Sequence, residues 1–185
     1  QRQMCIRDSF YHKDTSVPIW AIFEVLTLGE FGNFYSCLSY GVRREVSIKL
    51  GFHQPSDSDA FLTKKIIFAI KELRNAVAHN DVIFDTRFSR SSIDKSLSSS
   101  LEIVTGIKSI TFKSITDYII LVVYLLKCFG VPKGDMRRFV AEFQDNIETL
   151  RKQIPTSLFA RIVLTDTRPK LKSLQEYIRT VSYTH

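Results

Sequence analysis

Leu62, Ile66, Ile70, Leu73 and Val77 follow one another at steps of four, four, three and four. That spacing keeps one face of an α-helix apolar and predicts a long helix over about Asp59 to His79. Upstream, TSVPIWAIFEVLTLG reads as a helix with Pro18 at its first position, closed by Gly29 and Gly32. EFGNFYSCLS and YGVRREVSIKLG predict two short helices, the second stopped at Gly51. HQPSDSD is a loop that offers several N-caps to the long helix. Downstream, NDVIFDTRFSRSSIDKSLSSS is polar and serine-rich and predicts a loop or a weakly ordered excursion. LEIVTGIKSITF is rich in β-branched residues and predicts a short strand. SITDYIILVVYLLKCFG predicts a buried core helix ending at Gly130. The next helix carries Met136, Phe139, Val140, Phe143, Ile147 and Leu150 on one side and stops before Pro155. TSLFARIVL and PKLKSLQEYIR predict two more. With no repeat and no βαβ alternation, the fold class is all-α, a helical bundle with additional short helices in one domain over 10–180.

The long helix has a second stripe. Phe61 and Phe68 line up with Asn75 and His79 on the face turned from the main core. On a helical wheel Arg74 lies roughly 80° from the centre of the apolar stripe, Asn75 about 180° and His79 about 140°. A helix with two apolar stripes buries both, against another helix of the chain or against a second copy. A histidine in a last helical turn sits among unpaired carbonyls, whose dipole favours the imidazolium. The arginine offers a planar fork suited to phosphate. Two such couples facing one another would form a phosphodiester site. RNA brings its own nucleophile, the 2′-hydroxyl; histidine moves a proton, and arginine stabilises charge on phosphorus. The same residues also fit a plain helix end, with His79 on the last carbonyls, Asn80 left-handed and Arg74 solvated. Spacing does not decide, because Arg7–His12 and Arg179–His185 obey it as well.

Composition narrows the field. Among 185 residues the net charge is +7 and the pI about 9.4, which permits a polyanion partner without requiring one. Cys5, Cys37 and Cys128 are odd in number and widely spaced, and no Cys/His ligand cluster exists, so neither zinc nor a disulfide framework is expected and a reduced, cytoplasmic setting fits. No metal or other cofactor is implied. The apolar run Tyr118–Phe129 contains Lys127 and falls short of the roughly 20 residues of a bilayer span, so no membrane partner is expected. Residues 1–9 and 181–185 share no pattern with their neighbours and read as non-native, adapter-derived ends, which would leave the natural chain longer. Trp20 and Tyr35 are expected in the core; Glu24 either pairs with Arg74 or faces solvent.

RNAVAH, Arg74 to His79, resembles the Arg-Asn-x-x-x-His signature of HEPN-superfamily ribonucleases. Trp20, the Phe23–Leu26 block, Thr27, Gly29 and the Phe34–Tyr35 step resemble the opening of the Abi-like abortive-infection proteins, the AbiD/AbiF group. DYIILVVYLLKCF is similar to that group's hydrophobic helix, so the resemblance runs in order from Pro18 to Phe129. It implies a HEPN bundle, a role in phage defence in a bacterial cytoplasm, and metal-independent endoribonuclease activity at a homodimer cleft. Arg74, Asn75 and His79 are the implied catalytic residues. Arg87, Arg90, Arg137 and Arg138 are candidate RNA-backbone contacts, with a solvated cation as the alternative for each. Implied partners are RNA as substrate and as guide or antitoxin, an antitoxin protein and a second copy, but not DNA. The alternatives are a non-catalytic HEPN-like module that binds RNA or protein through the same groove, and a purely structural bundle.

Overall fold

A computed structural model describes residues 19–52, 54–55, 57–78, 88 and 93–180. The described residues form nine helices and no strand. They are α1 (Ile19–Val25), α2 (Leu28–Cys37), α3 (Tyr40–Lys49), α4 (Leu62–Ala78), α5 (Lys95–Thr105), α6 (Ile115–Cys128), α7 (Lys133–Gln153), α8 (Thr156–Ile162) and α9 (Thr167–Thr180). The fold is an all-α bundle. α6 is its most buried helix, with Ile115 to Leu121 and Val123–Tyr124 all shielded from solvent. α4, α5, α7 and α9 pack around it.

Local chemistry sets the helix ends. The break after α1 falls at Leu26–Thr27, and Gly29 and Gly32 lie inside α2, contrary to their expected role as stops. Thr27 forms a capping box: Glu30 N donates to its Oγ1 (3.2 Å) and its own N donates to Glu30 Oε2 (2.7 Å). α3 gives way at Leu50 to Gly51, whose φ of 72° is left-handed. Asp57 caps α4 from upstream, accepting from Phe61 N and Leu62 N, both at 3.1 Å. α4 therefore starts at Leu62, three residues later than expected.

Two expectations for residues 95–112 fail. The serine-rich run is helical from Lys95, capped by Asp94, whose carboxylate accepts from Ser96 N at 2.8 Å. Leu97, Ser100, Leu101 and Thr105 give it a buried face. No strand forms in LEIVTGIKSITF: its first half completes α5, and Gly106 turns the chain at φ 72°. The rest dips into the core through Ile107, Ile110 and Phe112. Its amides bond carboxylates in place of a neighbouring strand. Ile110 N donates to Glu102 Oε1, and Thr111 N and Phe112 N to Asp117 Oδ2, each at 2.9 Å. β-Branching signals a fit to a buried surface, and here that surface is a bundle interior.

The expected stripe on α4 holds over most of its length. Leu62 and Ile66 are buried, Ile70 and Leu73 are half-buried against the core, and its last member, Val77, is 61% exposed. Thr63, Ala69 and Ala76 are buried beside it, small side chains that admit close neighbours while carrying little hydrophobic signal. Phe68 of the second stripe meets the same chain, its ring seated against Gly32 of α2, which packs on α4. Tyr35 is buried as expected, its hydroxyl 2.9 Å from Arg43 O, 3.1 Å from Ala60 O and 3.1 Å from Ser47 Oγ. Trp20, expected in the core, is 56% exposed.

Gly32 supplies a sharp test of that pairing. A Cβ there would lie 2.7 Å from Phe68 Cε2, whereas one at Gly134 meets nothing within 4 Å. Gly32→Ala should cost about 1 kcal/mol net, overpacking outweighing the gain in helix propensity. Gly134→Ala should be neutral or stabilising by a few tenths. Urea denaturation of the two variants side by side checks both signs.

The far end of α6 packs two phenols and a thiol. Burial, then the neighbouring Cys128, lifts Tyr124 and Tyr177 above the usual phenol value of 10.0. Each stays protonated in the folded chain at a pH where the unfolded chain has ionised. The unfolded state then binds fewer protons, so stability falls as pH rises past about 10. The Tyr177 hydroxyl is buried without a hydrogen-bond partner among the described residues, and Lys127 Nζ lies 5.1 Å from its ring centroid. Tyr177→Phe keeps the ring and removes the hydroxyl. It should raise stability by about 1 kcal/mol at pH 7 and flatten the loss between pH 9.5 and 11, read by denaturant titration at both ends.

Candidate functional site

The C-terminal turns of α4 hold the candidate chemistry. Arg74 is exposed and Asn75 half-buried. Arg74 Nη1 donates to Asn75 Oδ1 at 3.0 Å, so the neighbouring amide orients the guanidinium. A cation here also complements the negative end of the helix dipole. Glu24 is exposed, which selects the solvated alternative for it. His79, Arg87 and Arg90 lie outside the described residues. Arg137 and Arg138 are exposed on α7, which packs on α6, α8 and α9, whereas α4 packs on α2, α5 and α6. Arg138 Nη2 is paired with Asp135 Oδ1 at 2.7 Å. The structure thus joins Arg74 to Asn75 and leaves Arg137 and Arg138 on a different helix.

A groove of about 680 Å³ runs along the same helix. Phe61, Lys64, Phe68 and Glu72 line it from the α4 side, and Ile93 and Asp94 from the start of α5. Lys64 Nζ is 5.6 Å from the Phe61 ring centroid and 5.9 Å from that of Phe68; Lys71 Nζ is 5.2 Å from Phe68, and the Arg43 guanidinium 4.1 Å from Phe61. These cations over aromatic faces are absent from the expected site residues. The signal for them lies in the sequence: Phe61, Lys64, Phe68 and Lys71 alternate aromatic and basic at steps of three, four and three. A reading of the stripe as apolar skips the lysines.

Among the described residues no group of three or more His, Cys, Asp or Glu side chains is placed to hold a metal ion, and no helix is long and apolar enough to cross a membrane. No curated protein matches the chain, and no solved structure does. Residues 2–85 match the family model of the Abi-like proteins. That span takes in Arg74, Asn75 and His79, stops before Arg87, and ends short of α6, to which the resemblance in the sequence extends. Over residues 2–85 the chain is similar to the Abi-like protein family.

Proposed function

We propose that the protein is an abortive-infection endoribonuclease of the HEPN type, cleaving RNA without a metal ion at a cleft between two copies. The observation that carries this reading is the Abi-like match running through Arg74-Asn75-Ala76-Val77-Ala78-His79. Its support in the fold is the position of Arg74, exposed near the end of α4 and oriented by Asn75. In the proposed reaction the RNA 2′-oxygen attacks the adjacent phosphorus, forming a 2′,3′-cyclic phosphate as the bond to the 5′-oxygen breaks. His79 takes the 2′-hydroxyl proton or gives one to the departing 5′-oxygen, and two copies of the couple divide these tasks. Arg74 balances the charge that builds on the phosphoryl oxygens. Asn75 holds the guanidinium. Arg87, Arg90, Arg137 and Arg138 are proposed backbone contacts, by charge alone. A guide or antitoxin RNA, or an antitoxin protein, would restrain such an activity in a bacterial cytoplasm.

The test uses single-stranded RNA labelled at its 5′ end, in EDTA. Fragments with 2′,3′-cyclic phosphate termini are expected from the unaltered protein and not from His79→Ala. Cleavage that stops in EDTA overturns the mechanism.

A further inference from the structure

We propose that the groove on α4 is a single-strand RNA track, in which Phe61 and Phe68 stack bases and Lys64 holds the backbone. The inference deepens the ribonuclease reading and rests on it for the identity of the polymer.

The charges favour a polyanion although carboxylates are near. Each of the three acidic groups lining the groove is engaged. Glu72 pairs with Lys71 at 2.9 Å; Asp94 pairs with Lys65 at 3.3 Å and caps α5; Asp59 Oδ1 accepts from Phe61 N at 3.2 Å. Lys64 has no carboxylate partner among the described residues and spans the two rings. A cation suspended over two half-buried aromatics meets both demands of an unpaired strand, a flat face for each base and a positive charge for each phosphate. Both rings are fixed, Phe61 by the Arg43 guanidinium and Phe68 by Gly32, so stacking costs little ordering. The groove also has a direction. Phe68 and Glu72 precede Asn75 along α4, with about 10 Å of helix axis between Phe68 and Asn75. A strand lying on the rings therefore runs toward Arg74.

Fluorescein-labelled 2′-O-methyl oligouridine is the probe, because a blocked 2′-oxygen cannot be cleaved and binding is read apart from turnover. Lys64→Glu, Phe61→Leu and Phe68→Leu are compared with the unaltered chain by anisotropy, with circular dichroism and the thermal midpoint as fold controls. Each is expected to weaken binding about tenfold, and an abasic strand of equal length to bind the unaltered protein at least tenfold less well. If Phe68→Leu fails to fold, Lys64→Glu and Phe61→Leu still decide. Unchanged affinity in folded Lys64→Glu and Phe61→Leu overturns the track, as does failure of the unaltered protein to bind. If Lys64→Glu alters self-association in sedimentation while RNA affinity holds, the groove seats protein and the proposal is wrong. Loss of cleavage in His79→Ala is scored separately, so an inactive protein that binds through these residues refutes the ribonuclease reading and leaves the track standing.

Discussion

Lys170→Met is expected to lower unfolding stability by about 3–5 kcal/mol at pH 7, a large part of the 5–15 kcal/mol typical of a whole domain. Lys170 is 4% exposed and Asp117 fully buried. Lys170 Nζ lies 2.7 Å from Asp117 Oδ1 and 2.8 Å from Asp166 Oδ2. Oδ2 of Asp117 accepts the Thr111 and Phe112 amides, and Thr116 Oγ1 meets Thr167 Oγ1 at 3.2 Å alongside. One carboxylate therefore ties α6, α9 and the 106–114 connection together. Removing the lysine leaves that carboxylate buried with its amide bonds but without its cation, and the uncompensated charge is the source of the cost. Asp117→Asn in the Lys170→Met background removes the charge and keeps an oxygen for the amides, so the double variant should recover at least 1 kcal/mol over Lys170→Met. The exposed pair Arg138–Asp135, by contrast, should yield under 1 kcal/mol on disruption.

Burial opposes the Lys170 charge, but the bonds to Asp117 and Asp166 prevail and lift its pKa above the ordinary 10.5. A folded-state value above the unfolded one means the contribution is complete below about 10.5 and disappears as pH climbs through the folded value. Urea midpoints for the unaltered chain, the single variant and the double variant at pH 7 measure the coupling. A Lys170→Met chain within 1 kcal/mol of the unaltered protein would sink it.

That clamp was not legible in the sequence, and the reason is instructive. Lys170 stands in PKLKSLQEYIR and Asp117 at the start of a plainly apolar helix, 53 residues apart. Periodicity reports which face a helix buries, not which helix lies opposite. α6 and α7 were readable because long apolar side chains dominate them: Met136, Val140 and Ile147 are buried at the predicted positions. α4 was readable along Leu62, Ile66, Ile70 and Leu73, but not at Ala69 and Ala76, which join its buried face with little hydrophobic weight. Gly32 reads as a helix stop and is in fact a contact surface for Phe68. Serines 96 and 98–100 read as loop, yet Leu97 and Leu101, with Ser100 and Thr105, give that helix a buried face once Asp94 caps it. For the site, the Arg74–Asn75 pairing is visible in the motif because adjacent residues need no tertiary information. Lys64, over Phe61 and Phe68, lines a groove that exists only after α5 is placed beside α4.

Arg74→Ala and His79→Ala should each reduce RNA cleavage by about two to four orders of magnitude, with different signatures. In the proposed reaction the arginine balances a charge that grows in the transition state, so its removal should act on kcat more than on KM. Arg74→Lys keeps the cation but gives up the planar fork and the geometry of the 3.0 Å bond to Asn75 Oδ1. It should recover at most about a tenth of the lost activity. Asn75→Ala leaves the guanidinium in place but unoriented, and a loss of about tenfold is expected if Asn75 acts only through Arg74. Combining it with Arg74→Ala should then cost nothing further, because the residue it positions is gone. His79→Ala alone should also flatten the pH profile of kcat near neutrality, where an imidazole titrates. Initial rates on a fixed RNA in EDTA, from pH 5.5 to 8.5, separate these roles. Additive losses at Arg74 and Asn75 would show that the amide contacts RNA itself, and an unchanged profile in His79→Ala would take the proton transfer away from the imidazole.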